Sequence, residues 1–168
     1  HTPRILISHG SPRHYREGYG PFLKSDAYFE IMDAYPADIY IGSHTHRQDE
    51  REVAGKTFLN SGAVGAPFNG DIRAQYLLLT LNDDGKWEWE FRAVPYDRHV
   101  AIAAYESSGL IPYGNLSAHI FMQELRYAVP IYAPYWSWGE KYEKPMNWDT
   151  WEEFLGLFGD KLVLPNEK

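Results

Sequence analysis

Three short apolar runs each stop at a cluster of turn-forming residues, and this pattern limits the fold more than any other feature. Residues 4–8 (RILIS) end in His9-Gly10-Ser11-Pro12. Residues 38–41 end in Gly42-Ser43-His44-Thr45-His46, and residues 56–59 end in Asn60-Ser61-Gly62-Ala63-Val64-Gly65. Short, nearly continuous apolar runs bounded by turn residues read as buried strands. Two of the three strand ends carry histidine, and neutral imidazole is the commonest protein ligand of transition metals.

The rest of the chain supplies further layers. Ser25 or Asp26 can cap a helix with apolar positions at Tyr28, Phe29, Ile31, Met32 and Tyr35, closed by Pro36. Residues 52–56 form a hairpin turn region feeding Thr57-Phe58-Leu59. Residues 74–81 are a strand, Asn82-Asp83-Asp84-Gly85 a hairpin loop, and residues 87–94 the returning strand. There Trp87, Trp89 and Phe91 alternate with Glu88, Glu90 and Arg92, giving one buried and one wet face. The character then changes. Asp97 can cap a helix that Gly109 and Pro112 stop, and Asn115 or Ser117 starts another reaching about Tyr127. From Pro130 the chain is rich in aromatics and proline, and Asp149 opens a short helix with Trp151, Phe154, Leu155 and Phe158. Hairpins mixed with helices favour a layered α/β sandwich over a purely parallel sheet.

The 168 residues suffice for one domain with a core. Without cysteine there is no disulfide and no thiolate metal site, so any metal here needs His, Asp, Glu or Asn. The net charge of −7 argues against a broad nucleic-acid surface. No run approaches the roughly 20 apolar residues of a membrane span, and no leader is visible, so a cytoplasmic location is expected. His44 and His46 would lie about 7 Å apart on one face of a regular strand, but past a strand end the chain can turn and fan them toward two neighbouring ions. Ions about 3.5–4 Å apart can clamp a phosphoryl group and activate water. Such a site normally also has carboxylates, yet the chain has no Asp-x-His at the start of a strand, no Gly-Asp-x-x-Asp and no Gly-Asn-His. The histidines make part of a site. The chain opens at His1, three residues before its first strand, so the other part is expected upstream.

These residues resemble the C-terminal half of the calcineurin-like metallophosphoesterases, in particular the small bacterial and archaeal phosphodiesterase-like branch. The likeness rests on His9-Gly10-Ser11-Pro12, His44-Thr45-His46 and Asn60-Ser61-Gly62-Ala63-Val64-Gly65. It continues through Gly70-Asp71-Ile72-Arg73-Ala74-Gln75-Tyr76, Val94-Pro95-Tyr96-Asp97 and Gly109-Leu110-Ile111-Pro112, and covers residues 4–114. Ser43 replaces the family's usual Gly, and Ser61 and Ala63 its usual Pro and Ser.

The resemblance implies an α/β fold, the C-terminal half of a four-layer αββα sandwich. It assigns residues 1–129 to that domain and leaves residues 130–168 as an aromatic-rich tail packing on the domain or a subunit interface. It implies hydrolysis of a phosphoester, a phosphodiester first, by two divalent ions, with manganese favoured over iron, nickel or zinc. His9 and His44 would hold one ion and His46 the other. Arg13 would meet substrate phosphate. The general acid and the carboxylate ligands would lie upstream, so no catalytic residue is assigned within this chain. The expected partners are a small phosphoester and either a second copy or a chain carrying the missing half. No membrane partner is expected. Two other readings stand beside this one: a non-catalytic scaffold of the same fold, and a nucleotide- or sugar-binding module using the aromatic tail.

Overall fold

The computed structural model describes residues 3–159. The chain forms two units, His1–Val64 with Arg73–Val94 and Gly65–Ile72 with Pro95–Lys168.

The first unit holds a four-stranded sheet of β1 (Ile5–Ile7), β2 (Ile39–Gly42), β4 (Lys56–Ser61) and β3 (Gln48–Val53), in that order. β1, β2 and β4 are parallel, while β3 returns antiparallel to β4. Alternation along the central strands sends side chains to two cores. Tyr40 and Phe58 stack with ring centroids 4.5 Å apart and pack under Tyr28 and Ile31 of α1 (Ser25–Ala34). Ile39, Ile41 and Leu59 face the other way, against β5 (Ala74–Leu81) and β6 (Trp87–Val94). That antiparallel hairpin presents Leu77, Leu79, Trp87, Trp89 and Phe91 to them, as the alternation in β6 predicts. The unit is thus helix, sheet and sheet. Gln48 Nε2 links the layers, lying 3.2 Å from the Tyr76 carbonyl and 3.0 Å from that of Arg92.

β3 is the strand that sequence pattern hides. Its residues, QDEREV, are nearly all polar because it is an edge strand. The turn that creates it is Ala54-Gly55, with φ of 49° and 73°, the paired left-handed residues that hairpins favour. At the opposite edge, β1 pairs among the described residues only with β2, and Ile7 is 71% exposed.

The second unit is helical. Asp97 caps α2 (Arg98–Ser107) by accepting the His99 N–H at 2.9 Å. Gly109 ends the run with left-handed φ, but Pro112 does not act as a stop. It is the third residue of α3 (Leu110–Tyr127), where first-turn N–H groups have no helical partner to lose. α3 is two helical pieces joined at Asn115, whose φ of 48° and ψ of −133° are not helical.

Residues after Pro130 form α4 (Tyr132–Lys141) and α5 (Trp148–Phe158). Their Tyr135, Trp138, Trp151 and Phe154 share one core with Leu116 and Ile120 of α3. α5 starts at a reciprocal cap between Asn147 and Thr150. α4 is started by tertiary structure: Glu124 Oε1, on α3, accepts the N–H groups of Ile131 and Tyr132, both at 2.7 Å. No helix among the described residues is long and apolar enough to cross a membrane.

Candidate metal centre

Parallel pairing puts the C-terminal ends of β1 and β2 side by side, in the register Ile7–Ile41. The next residues continue the ladder. Ser8 donates its N–H to Ile41, and the His9 carbonyl accepts those of Ser43 and His44, each at 2.9 Å. His9 and His44 therefore emerge together. Their rings meet edge to face with centroids 5.3 Å apart, and His9 Nε2 lies 3.3 Å from His44 Nδ1.

That separation fits a shared ion. Ligand nitrogens about 2.05 Å from a tetrahedral metal stand about 3.3 Å apart. Burial pushes the His44 imidazole below its ordinary pKa, and the charges of His9 and His46 push the same way. The shift favours the neutral, ligating form.

His46 departs from strand geometry. Its φ is 54°, and its N–H returns to the Ser43 carbonyl at 2.9 Å, closing a turn. It stays near enough for its charge to act on His44. Ser43 fits this loop without positive φ, and its hydroxyl donates to the Gly62 carbonyl at 3.2 Å. Asn60 braces the loop from the end of β4. Fully buried, it donates to Thr45 Oγ1 at 2.8 Å and accepts the Gly62 N–H at 3.1 Å.

Arg13 lies on the loop after His9, but its charge is engaged. Its guanidinium binds both carboxylate oxygens of Glu17, Nε at 3.0 Å, and pairs with Glu30 of α1. Arg13 in turn holds the Glu17 carboxyl below its usual range. Arg16, three residues on, is exposed, and its charge and that of His14 reach His44. The loop presses on the histidines at Gly18, where an added Cβ would come within 2.4 Å of Thr45 Cγ2. Sequence reading singled out Arg13. Arg16 was missed because Glu17 and Glu30 together neutralise Arg13, and the sequence places Glu17 four residues away but does not show the approach of Glu30. Asp71 lies on a separate turn, its N–H bonded to Asn69 Oδ1 at 3.2 Å.

Among the described residues no group of three or more His, Asp or Glu side chains is placed to hold one ion. The donor set is chemically right for divalent metal but incomplete: two imidazoles suited to one ion, and a third histidine nearby.

No protein-family model matches the chain, and no curated protein matches it significantly. Solved structures do. A metallophosphoesterase from Sphaerobacter thermophilus aligns with a TM-score of 0.52 and 22% identity, covering 75% of this chain and 56% of that one. A hypothetical protein from Pyrococcus horikoshii OT3 aligns with a TM-score of 0.50 and 18% identity, covering 63% of this chain and 42% of that one. The chain spans about half the length of these structures. At such identity the likeness is one of fold, and it is the calcineurin-like fold whose motifs the sequence resembles.

Proposed function

We propose that this chain, with the fold of a metallophosphoesterase, is the histidine-bearing half of a two-metal phosphodiesterase. The observation that carries the reading is the 3.3 Å approach of His9 Nε2 to His44 Nδ1 at adjoining strand ends. In this reading His9 and His44 bind one divalent ion and His46 a second, manganese being the first choice. Bound ions of this kind supply Lewis acidity and an activated water for attack on phosphorus. The chain's own part is to fix the ligands. The β1–β2 ladder sets the His9–His44 spacing, and Asn60 and Ser43 hold the loop that carries His44 and His46. Exposed Arg16, which lies over the Tyr15 ring and has no carboxylate partner among the described residues, would draw the anionic substrate, the role first expected of Arg13. In this reading the carboxylate ligands and the general acid would be supplied by the other half of the fold.

The test compares this chain with a protein that also carries the remaining half of the fold. The longer protein should hydrolyse a bis-aryl phosphate in a manganese-dependent way, and His46→Ala should slow it by several hundredfold, a few kcal/mol of barrier. This chain alone should be nearly inactive. Full activity from this chain would mean that its own residues complete the site. A folded, inactive longer protein would favour the scaffold reading.

A further inference from the structure

The second unit contains a cavity of about 260 Å³ between α3 and α5. Its α3 wall is unusual. His119, Gln123 and Tyr127 recur every fourth residue and so share one face of the helix. A helix face turned toward another helix is normally apolar, because polar groups there lose water. The opposite wall is apolar, formed by Trp151 and Leu155 of α5, with Ile131 closing one side.

The two walls are tied at one end. Asn115 Oδ1 accepts the indole N–H of Trp148 at 2.6 Å. Asn115 holds this bond from a backbone conformation, φ 48° and ψ −133°, that non-glycine residues rarely adopt. The His119 ring rests 5.2 Å from that of Trp148 and 6.3 Å from that of Trp151. Burial lowers the pKa of His119, with Arg126 acting in the same sense, which favours the neutral ring. Gln123 Nε2 lies 3.4 Å from His119 Nε2. With the amide donating, that ring nitrogen accepts and the ring proton sits on Nδ1. His119 then retains an N–H donor and Gln123 a carbonyl acceptor. Among the described residues no hydrogen-bond partner meets these two groups or the Tyr127 hydroxyl. No charged side chain among the described residues lines the cavity.

We propose that this cavity binds an uncharged purine-type base, its face against Trp151 and its edge on His119 and Gln123. An apolar slot with one donor-and-acceptor wall suits a flat heterocycle that is apolar on its faces and polar around its rim. The volume falls just below the roughly 300–1,000 Å³ of drug-sized sites and fits one fused ring system. With no cation in the lining among the described residues, the proposal places a sugar or phosphate outside. This site is independent of the histidines at the strand ends.

Adenosine titrated into the whole chain by calorimetry tests the proposal. The expected result is saturable binding at one site, with Kd on the order of 10⁻⁴ M, as for a small ligand with few polar contacts. Gln123→Met, which keeps side-chain length, should weaken binding at least tenfold without changing the thermal midpoint. His119→Phe should do the same, and should it fail to fold, Gln123→Met decides. No saturable heat up to 10 mM adenosine would overturn the proposal. So would binding unchanged in Gln123→Met, or indole binding more tightly than adenosine, which would mark a merely apolar cavity.

Discussion

His9 Nε2 and His44 Nδ1 approach to 3.3 Å although 35 residues separate them in sequence. Backbone hydrogen bonds make this contact: both residues follow paired parallel strands, and the His9 carbonyl receives the His44 N–H. A cation between the two rings would engage a lone pair from each.

His9 and His44 should therefore act as a pair in metal binding. His9→Ala and His44→Ala should each lower manganese or zinc affinity at least tenfold, since even groups that only orient ligands cost 10–100-fold. The double variant should be little worse than either single one. Calorimetric titration of the four proteins checks this, and additive losses would mean that the two rings serve different ions.

The two arginines of the first loop should separate cleanly. Arg13→Ala should cost about 1 kcal/mol of stability, because it releases Glu17 and Glu30 and the pairs are partly screened by solvent. Arg16→Ala should change urea unfolding by less than about 0.5 kcal/mol. In the longer protein it should raise KM for a phosphodiester, whereas Arg13→Ala should leave KM alone. The reverse pattern would restore Arg13 as the phosphate ligand.

Asn60→Ala should cost about 2–3 kcal/mol, since it strands the buried Gly62 N–H and the Thr45 hydroxyl. It should also weaken metal binding without touching a ligand, because the loop carrying His44 and His46 loses its brace. Urea unfolding and metal titration on the same samples measure the two effects. Loss of stability with unchanged metal affinity would confine Asn60 to the fold.

Glu124 gives a pH signature. Burial raises its carboxyl pKa in the folded state, outweighing the N–H groups of Ile131 and Tyr132, which favour the charged form. A raised folded pKa means the contribution is fully present below the unfolded value, about 4.3, and is lost as pH rises through the folded value. Glu124→Gln keeps an acceptor for both N–H groups and cannot ionise. It should be more stable than the parent at pH 8, with the gap closing toward pH 4. Unfolding curves across that range decide it, and a variant less stable at every pH would show that the ionised carboxylate is the better cap.

Much of the first unit is legible because buried parallel strands are short apolar runs whose ends are marked by Gly, Ser and His. The β5–β6 hairpin is legible for a different reason, the strict alternation of Trp87, Trp89 and Phe91 with charge. β3 hides because an edge strand need not be apolar. α4 hides because it contains Pro134 and Gly139 and takes its cap from Glu124, eight residues before its start. Asn115 is readable as a break, but the short helical turn before it is not, since Pro112 reads as a stop. The histidines of the centre are visible in sequence, while the engagement of Arg13 by Glu17 and Glu30 depends on how the loop and α1 are folded.

Pairing β1 with β2 across a helical crossover also sets when the centre comes into being. Closing a loop of 35 residues costs about 3 kcal/mol of chain entropy before any contact rewards it. Until that loop closes, His9 and His44 belong to distant parts of a coil and offer an ion nothing better than two separate imidazoles. An added ion should then leave the refolding rate nearly unchanged and slow unfolding, because it grips only the finished crossover. The metal would act as a latch on a completed fold rather than as the seed from which it grows.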